Sequence, residues 1–271
     1  MKVFPFELGL LDFNGTVQDD LEITLKSVRE IFMKLTGSCP VLTENSFREE
    51  ITLHYADFFE KYGVPKNRKA EGDAIRKEYF CKHANGDLLF TGVKEAISEL
   101  FRHMDLGIVS GDVQGFVSER LEHLGILQFF DTVHDGVSEK MDIFKKILHA
   151  YELAPYTIFY VDDGPEGIEA ANALGIFSIA FVHNKSYCHE KRILAAKPDY
   201  NTIISGAHPR PQKSHPALMR GFHLTNNEKP CVKMVFATHH SSNLSREKYW
   251  DIFEIRDRGS YFFACFGQYG S

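Results

Sequence analysis

The chain has 271 residues and a formal charge of −6 at pH 7. Its apolar and charged fractions are those of an ordinary globular protein with enough material for a sizeable core, in one large domain or two modest ones. The acidic balance excludes a general electrostatic attraction to nucleic acid or to an anionic membrane. The apolar run at the N-terminus is too short and is interrupted too soon for a signal peptide, so we expect none. No apolar run approaches the roughly 20 residues that span a bilayer.

The cysteines are odd in number and scattered along the chain. They are Cys39, Cys81, Cys188, Cys231 and Cys265. No pair has the spacing of metal ligands, so we interpret all five as reduced thiols of a cytoplasmic protein. We expect no nucleic-acid or membrane partner, and we expect a monomer or a homodimer.

The first predicted elements are a strand and a helix. A short apolar run over residues 6–13, stopped by Gly15, predicts a buried strand followed by a turn. Over residues 19–35 the apolar side chains recur every three or four positions, which is typical of a helix with one buried face. Gly37 and Pro40 are expected to end this helix.

The next segment is predicted to be entirely helical. Residues 47–62 and 70–83 are each polar on one side and apolar on the other, and each pattern predicts a helix. Nothing between residues 19 and 85 is typical of a strand. We therefore predict an all-helical insertion after the first strand.

Strands and helices then alternate. The predicted strands cover residues 105–110, 130–134, 157–161, 177–182 and 200–204, and the predicted helices cover residues 92–103, 113–124, 139–151 and 165–174. Pro165 and Gly175 suit the first turn and the C-cap of the last helix. Strands that alternate with helices of this length predict an α/β fold, with a parallel sheet covered on both faces.

The character of the chain changes after residue 204. Residues 205–230 contain four prolines and few large apolar side chains, as is typical of a linker. Three later apolar runs, over residues 233–238, 249–255 and 261–266, predict a small β element. A turn at residues 256–259 could join the last two runs as a hairpin.

Polar side chains are expected to converge at one edge of the predicted sheet. Three strands end in such residues, and one helix begins with one: Asp12, Ser110, Lys140, Asp162 and Asp163. In an open parallel sheet, ligands bind at the carboxyl ends of the strands. A hydroxyl, an ammonium group and several carboxylates in one pocket suit a phosphate dianion and a divalent cation.

The charges suggest a role for each group. Asp12 and Asp163 can supply the hard oxygen ligands that Mg²⁺ prefers. With the cation between the negative groups, Asp12 can attack phosphorus and form an aspartyl phosphate. Ser110 and the backbone N–H groups after it can hold the phosphoryl oxygens, and Lys140 adds a positive charge for the transition state.

Each residue also has a simpler structural interpretation when taken alone. Asp12 and Ser110 could be turn residues, and Lys140 could be a solvated lysine at a helix start. Asp162 and Asp163 could cap the following helix. That interpretation is weakest for the pair, because two adjacent carboxylates at a strand end repel each other without a cation.

Four short motifs follow one another along the chain. They are Asp12-Phe13-Asn14-Gly15-Thr16, Ile108-Val109-Ser110-Gly111, Lys140 before Met141-Asp142, and Asp162-Asp163-Gly164-Pro165-Glu166. In this order they resemble the haloacid dehalogenase superfamily, in its phosphoglycolate-phosphatase-like and β-phosphoglucomutase-like branch. The resemblance covers about residues 5–204. It implies a Rossmann-like doubly wound core from residues 1–16 and 90–204, a helical cap from residues 17–89, and a C-terminal extension from residues 205–271 with no assigned role.

The resemblance also implies an activity, namely Mg²⁺-dependent hydrolysis of a small phosphorylated metabolite. The implied catalytic residues are Asp12 and Lys140. The implied phosphate-binding residues are Asn14, Ser110, Gly111 and Lys140, and the implied metal ligands are Asp12, Asn14, Asp162 and Asp163.

Two residues depart from the family pattern. Asn14 stands where the family's phosphatases have an Asp that acts as general acid and base, although its backbone carbonyl can still bind the metal. Gly167 stands at a later acidic position, so that Asp163 and Glu166 would have to suffice. Three functions therefore stay open: a slow phosphatase, a catalytically weak protein that binds a phosphometabolite as a sensor or interaction module, and a phosphotransferase or mutase.

Overall fold

The computed structural model describes residues 6–84, 86 and 88–202 with their side chains, and the backbone of residues 203–204, 232–236, 248–257 and 260–269. The strands are β1 (Leu8–Leu11), β2 (Asp105–Val109), β3 (Thr132–His134), β4 (Ile158–Asp162), β5 (Phe177–His183), β6 (Tyr200–Ile204), β7 (Val232–Phe236), β8 (Lys248–Asp257) and β9 (Ser260–Tyr269). The α-helices are α1 (Leu21–Thr36), α2 (Glu44–Glu50), α3 (Tyr55–Lys61), α4 (Lys69–His83), α5 (Val93–Leu100), α6 (Phe116–His123), α7 (Lys140–Ala150), α8 (Pro165–Leu174) and α9 (Glu190–Ala195).

Strands β1 to β6 form one parallel sheet in the order β3-β2-β1-β4-β5-β6. The chain builds one side of the sheet from β1 to β3 and then crosses back to place β4 on the other side of β1. This reversal is a topological switch point, which opens a crevice at the carboxyl ends of the two central strands. The prediction of a doubly wound, Rossmann-like α/β fold is confirmed.

Strand β1 is buried along its whole length at the centre of the sheet. Leu8 and Leu10 pack into the core on one face, and Leu11 packs into the core on the other face, as the alternation of a strand requires. Leu11 pairs with Val161 of β4. This register places Asp12, which follows Leu11, level with the end of β4.

The described residues of the helical insertion form four α-helices, α1 to α4, and the prediction of one helix over residues 47–62 is wrong. The helix α2 ends at Glu50, its C-cap residue Ile51 has an extended backbone, and α3 begins at Tyr55. Arg192 of α9 donates hydrogen bonds of 2.8 and 2.9 Å to the backbone carbonyls of Arg48 and Ile51. These bonds satisfy carbonyl groups that a longer helix would have used. A local pattern does not show such a long-range partner.

The other predicted helix ends agree closely with the structure. Gly37 and Gly175 are left-handed C-caps, with φ of 78° and 76°. The six-residue helix α9 was not predicted, because so short a segment has no visible period. No helix of the described residues is long and apolar enough to cross a membrane. The cysteines with described side chains, Cys39, Cys81 and Cys188, are free thiols.

Strands β7, β8 and β9 form a separate antiparallel sheet in that order. The register pairs Asp257 with Ser260, which confirms the predicted pairing of the last two strands. The two residues between them, Arg258 and Gly259, lie outside the described residues, as does the predicted linker over residues 205–230.

Candidate active site

Lys140 lies at the centre of the predicted site, buried at the start of α7. Its Nζ donates three hydrogen bonds, of 2.7 Å to Asp12 Oδ1, 2.8 Å to Asp162 Oδ2 and 2.7 Å to the hydroxyl of Tyr160. Burial alone would lower the pKa of Lys140, but the carboxylates of Asp12 and Asp162 raise it above its usual range. Lys140 is therefore charged at neutral pH and holds Asp12 in place.

Three buried carboxyl groups surround this lysine. Asp12, Asp162 and Asp163 each offer an oxygen atom within 4.8 Å of the others. If all three carboxyl groups are ionised, the ammonium of Lys140 neutralises one of their three negative charges, and two remain. Burial raises the pKa of Asp12 to about 7, and burial together with the other two carboxylates raises that of Asp163. The cluster therefore favours the binding of a proton or a cation.

Asp162 fills the space that Gly167 leaves open. A Cβ atom on residue 167 would come within 1.7 Å of Asp162 Oδ2, and the other oxygen of Asp162 accepts a hydrogen bond of 2.8 Å from the backbone of Gly164. The departure from the family pattern at residue 167 thus has a steric reason. Tyr160 was not predicted, although it lies two residues before Asp162 on the same face of β4, and strand alternation could have indicated it.

The turn after β1 brings the first motif against the fourth. Gly15 has a φ of +75°, and a Cβ atom there would come within 2.2 Å of Asp163 Oδ2. Only glycine meets both demands without strain. The backbone N–H of Tyr187 also donates to Asp163. These contacts fix Asp163 beside the residues that follow β1.

Asn14 is buried, and its side chain is held by a carboxylate. Its Nδ2 donates a hydrogen bond of 2.7 Å to Asp20 Oδ2, while its Oδ1 lies 3.5 Å from Ser110 Oγ. Ser110 Oγ also accepts a bond of 3.2 Å from the backbone N–H of Asp112. The amide of Asn14 therefore links the start of the insertion to the loop after β2.

A buried polar network, not predicted from the sequence, joins the insertion to the sheet. Arg76 of α4 donates two hydrogen bonds to the carboxylate of Asp112, of 2.8 and 3.0 Å, and its Nη2 lies 3.7 Å from Asp20 Oδ2. The hydroxyl of Tyr187 donates to the same Asp20 oxygen at 2.8 Å. Burial would raise the pKa of Asp112, but Arg76 lowers it below its usual value. These residues come from four separate segments, so no local motif marks them.

One cavity collects the predicted residues. Its lining includes all seven of them: Asp12, Asn14, Ser110, Gly111, Lys140, Asp162 and Asp163. Glu166 lines the same cavity. The convergence that the strand ends suggested is therefore present in the structure, and most of the other lining residues come from the helical insertion.

The sequence matches the family described as haloacid dehalogenase-like hydrolase over residues 10–181, which is more than half of the chain. No curated protein matches the chain.

Several solved structures share the fold. A haloacid dehalogenase-like family protein from Streptococcus pneumoniae is 20% identical, with a TM-score of 0.60, over 75% of this chain and 95% of that one. A predicted phosphoglycolate phosphatase from Haemophilus somnus is 20% identical, with a TM-score of 0.61, over 74% and 95%. CbbY from Rhodobacter sphaeroides, in complex with xylulose-(1,5)bisphosphate, is 19% identical, with a TM-score of 0.60, over 73% and 93%. The chain belongs to the haloacid dehalogenase-like hydrolases.

Proposed function

We propose that this chain is a Mg²⁺-dependent phosphatase that hydrolyses a small phosphate monoester through an aspartyl phosphate on Asp12. The observation that carries the proposal is the cluster of three buried carboxyl groups around one lysine, at the switch point of the sheet. The related CbbY was solved with a phosphorylated sugar and with phosphate, which supports a phosphorylated metabolite as substrate. Residues 17–89 would act as the cap over a core formed by residues 1–16 and 90–204.

The donor atoms fit Mg²⁺, because all of them are oxygens. Asp12, Asp163 and the backbone carbonyl of Asn14 would hold the ion, with Asp162 beside them. Asp162 already accepts hydrogen bonds from Lys140, Tyr160 and Gly164, so we assign it mainly to orienting Lys140. When bound, Mg²⁺ would neutralise the carboxylates and the phosphate dianion that approaches them.

The protein side chains divide the remaining work. Asp12 attacks phosphorus, the ester oxygen leaves with the alcohol, and water then releases phosphate from Asp12. Lys140 holds the carboxylate of Asp12 and offers positive charge to the transition state. Ser110 and the backbone of Gly111 lie on the same cavity, where they can hold phosphoryl oxygens. Asn14 cannot transfer a proton at neutral pH, so turnover is expected to be slow.

Release of phosphate from p-nitrophenyl phosphate tests the proposal. We expect slow Mg²⁺-dependent release by the wild type and none by Asp12→Asn, because an amide is not a nucleophile for phosphorus. Asp142→Asn is the matched control, since Asp142 is an exposed carboxyl group on α7 and its loss should change nothing. Full activity in Asp12→Asn would show that the nucleophile is assigned wrongly.

Binding of Mg²⁺ is expected to stabilise the protein more at pH 8 than at pH 6. Burial raises the pKa of Asp12 to about 7, so this carboxyl group stabilises the metal-free protein below its unfolded pKa, and the contribution is lost as pH rises through about 7. Mg²⁺ binds the ionised form. From pH 8 to pH 6 the ionised fraction of Asp12 falls about tenfold. Because the pKa of Asp163 is raised as well, we expect the affinity for Mg²⁺ to fall by at least about tenfold.

Thermal denaturation with and without Mg²⁺ at the two pH values measures this difference. In Asp12→Asn the dependence of the Mg²⁺ effect on pH should shrink, whereas Asp142→Asn should behave as the wild type. An equal rise in Tm at pH 6 and pH 8 would contradict a protonated Asp12 in the metal-free site.

Asn14 also favours a second candidate function. A chain that binds a phosphometabolite without efficient turnover could serve as a sensor or interaction module. The hydrogen bond from the Asn14 amide to Asp20 supports this alternative, because it fixes a neutral side chain at the position of the acid. Tight binding of substrate with no detectable phosphate release would select it.

A further inference from the structure

The cavity above the phosphate site has an empty volume of about 990 Å³, including its opening to solvent. Its lining includes the residues proposed to bind phosphate. The helical insertion adds an apolar wall to the same cavity, formed by Val28, Ile31, Phe47, Ile51, Leu53 and Phe59.

The apolar wall begins directly at the phosphate-binding loop. A Cβ atom on residue 111 would come within 2.6 Å of Leu53 Cδ1, so the Leu53 side chain lies against the backbone of Gly111. A phosphoryl group held by Ser110 and Gly111 would therefore lie beside a hydrocarbon side chain, and the leaving group attached to it would lie close to the apolar wall.

The basic side chains that the insertion contributes to the cavity are already paired with carboxylates of the protein. Arg76 binds both oxygens of Asp112, at 2.8 and 3.0 Å. Lys69 Nζ lies 2.6 Å from Asp73, whose other oxygen accepts a bond of 2.6 Å from Tyr55. Each of these cations is already neutralised by a carboxylate beside it, so the two pairs offer no net positive charge to a second phosphate or a carboxylate on the substrate. The cavity therefore disfavours a second anionic group.

We propose that the leaving group is a hydrophobic alcohol, so that the substrate is the monophosphate of an alkyl or aryl alcohol rather than a bisphosphate or a phosphorylated acid. This inference rests on the proposed phosphatase function. Hydrolysis breaks the bond between phosphorus and the ester oxygen. Water supplies one proton to the alcohol, and its oxygen and other proton to the phosphate product. Burial in the cavity stabilises the hydrocarbon part of such an alcohol, which needs no polar partner.

Two series of compounds test the inference. The n-alkyl phosphates from methyl to octyl report hydrolysis, and the corresponding n-alkylphosphonates, which cannot be hydrolysed at the ester bond, report binding by calorimetry. We expect kcat/KM to rise and Kd to fall by about fourfold for each added methylene until the cavity is filled. The 1,5-bisphosphate of a pentose and phosphoglycolate should be poorer substrates than hexyl phosphate.

Two matched variants test whether the apolar wall causes the dependence of kcat/KM on chain length. Leu53→Asn places an amide of similar size in the wall, and should lower kcat/KM for octyl phosphate at least about tenfold while methyl phosphate is nearly unaffected. Val41→Asn makes a comparable change at a side chain that is 94% exposed, and should leave the series unchanged.

The outcomes separate the two proposals. A Kd that does not fall with chain length, or a preference for the bisphosphate, would overturn the hydrophobic leaving group. A normal dependence of phosphonate binding on chain length without release of phosphate from any ester would support the apolar site and contradict the phosphatase function.

Discussion

Exchanging the side chains of Asn14 and Asp20, in the double variant Asn14→Asp/Asp20→Asn, is expected to raise kcat by about 10²- to 10⁴-fold, the usual contribution of a positioned acid and base. The two side chains share a hydrogen bond of 2.7 Å from Asn14 Nδ2 to Asp20 Oδ2. The exchange keeps one amide, one carboxylate and one bond between them. It moves only the carboxylate, to the position where the family resemblance implies a general acid and base.

Turnover of p-nitrophenyl phosphate at saturating Mg²⁺ measures this gain. The single variant Asn14→Asp should gain about tenfold or more, but at a cost in stability, because it sets a second buried carboxylate against Asp20 and raises the pKa of the pair. Asp20→Asn alone, which supplies no acid, serves as the control and should not be faster than the wild type. A double variant no faster than the wild type would show that the missing carboxylate does not limit turnover.

Asn14 and Asp20 illustrate how far a sequence can be interpreted. The four motifs predict the fold and the convergence of Asp12, Lys140 and Asp163, because each follows a buried strand or begins a helix with a clear period. From the motif alone, Asn14 is a missing acid. The structure adds that Asn14 is a hydrogen-bond donor to a buried carboxylate six residues away. An Asp at position 14 would conflict with Asp20, so the two positions depend on each other.

The features that the sequence did not indicate are contacts between distant segments. The break after α2 depends on Arg192, which is 141 residues beyond Ile51. The apolar wall reaches the loop after β2 because Leu53 lies against the backbone of Gly111. Periodicity and motif spacing depend on residues that are close in the sequence. They do not show which side chains of a helical insertion contact the edge of a sheet.

Arg76→Met is expected to destabilise the protein by about 3–5 kcal/mol, because it leaves two buried carboxylates without their cation. The side chains of Asp112 and Asp20 are 3% and 0% exposed, and that of Arg76 is 13% exposed. Methionine keeps most of the volume of the arginine but none of its charge. Urea denaturation followed by circular dichroism, with the slopes compared, measures the change in unfolding free energy.

The neighbouring residue supplies the control. Lys77 also joins α4 to the core, through an exposed pair with Glu119 at 2.5 Å, so Lys77→Met should cost about 0–1 kcal/mol. If both variants lose the same stability, burial is not what makes the Arg76 pair important. Adding Asp112→Asn to Arg76→Met should recover part of the loss, because it removes one of the uncompensated charges.

The dependence of the unfolding free energy on pH also tests whether Arg76 acts through its charge. Arg76 lowers the pKa of Asp112. A carboxyl group of this kind contributes stability above its unfolded pKa of about 3.9, and the contribution is lost as pH falls through its lower folded pKa. In Arg76→Met, burial without the guanidinium raises the pKa of Asp112, so the carboxyl group becomes neutral in mild acid. The gap in unfolding free energy between wild type and variant should therefore be widest near pH 7. It should narrow as pH falls through mild acid, where Asp112 of the variant takes up a proton, and should stop narrowing once Asp112 of the wild type is protonated as well. A gap of constant size would mean that Arg76 acts through packing, and not through its charge.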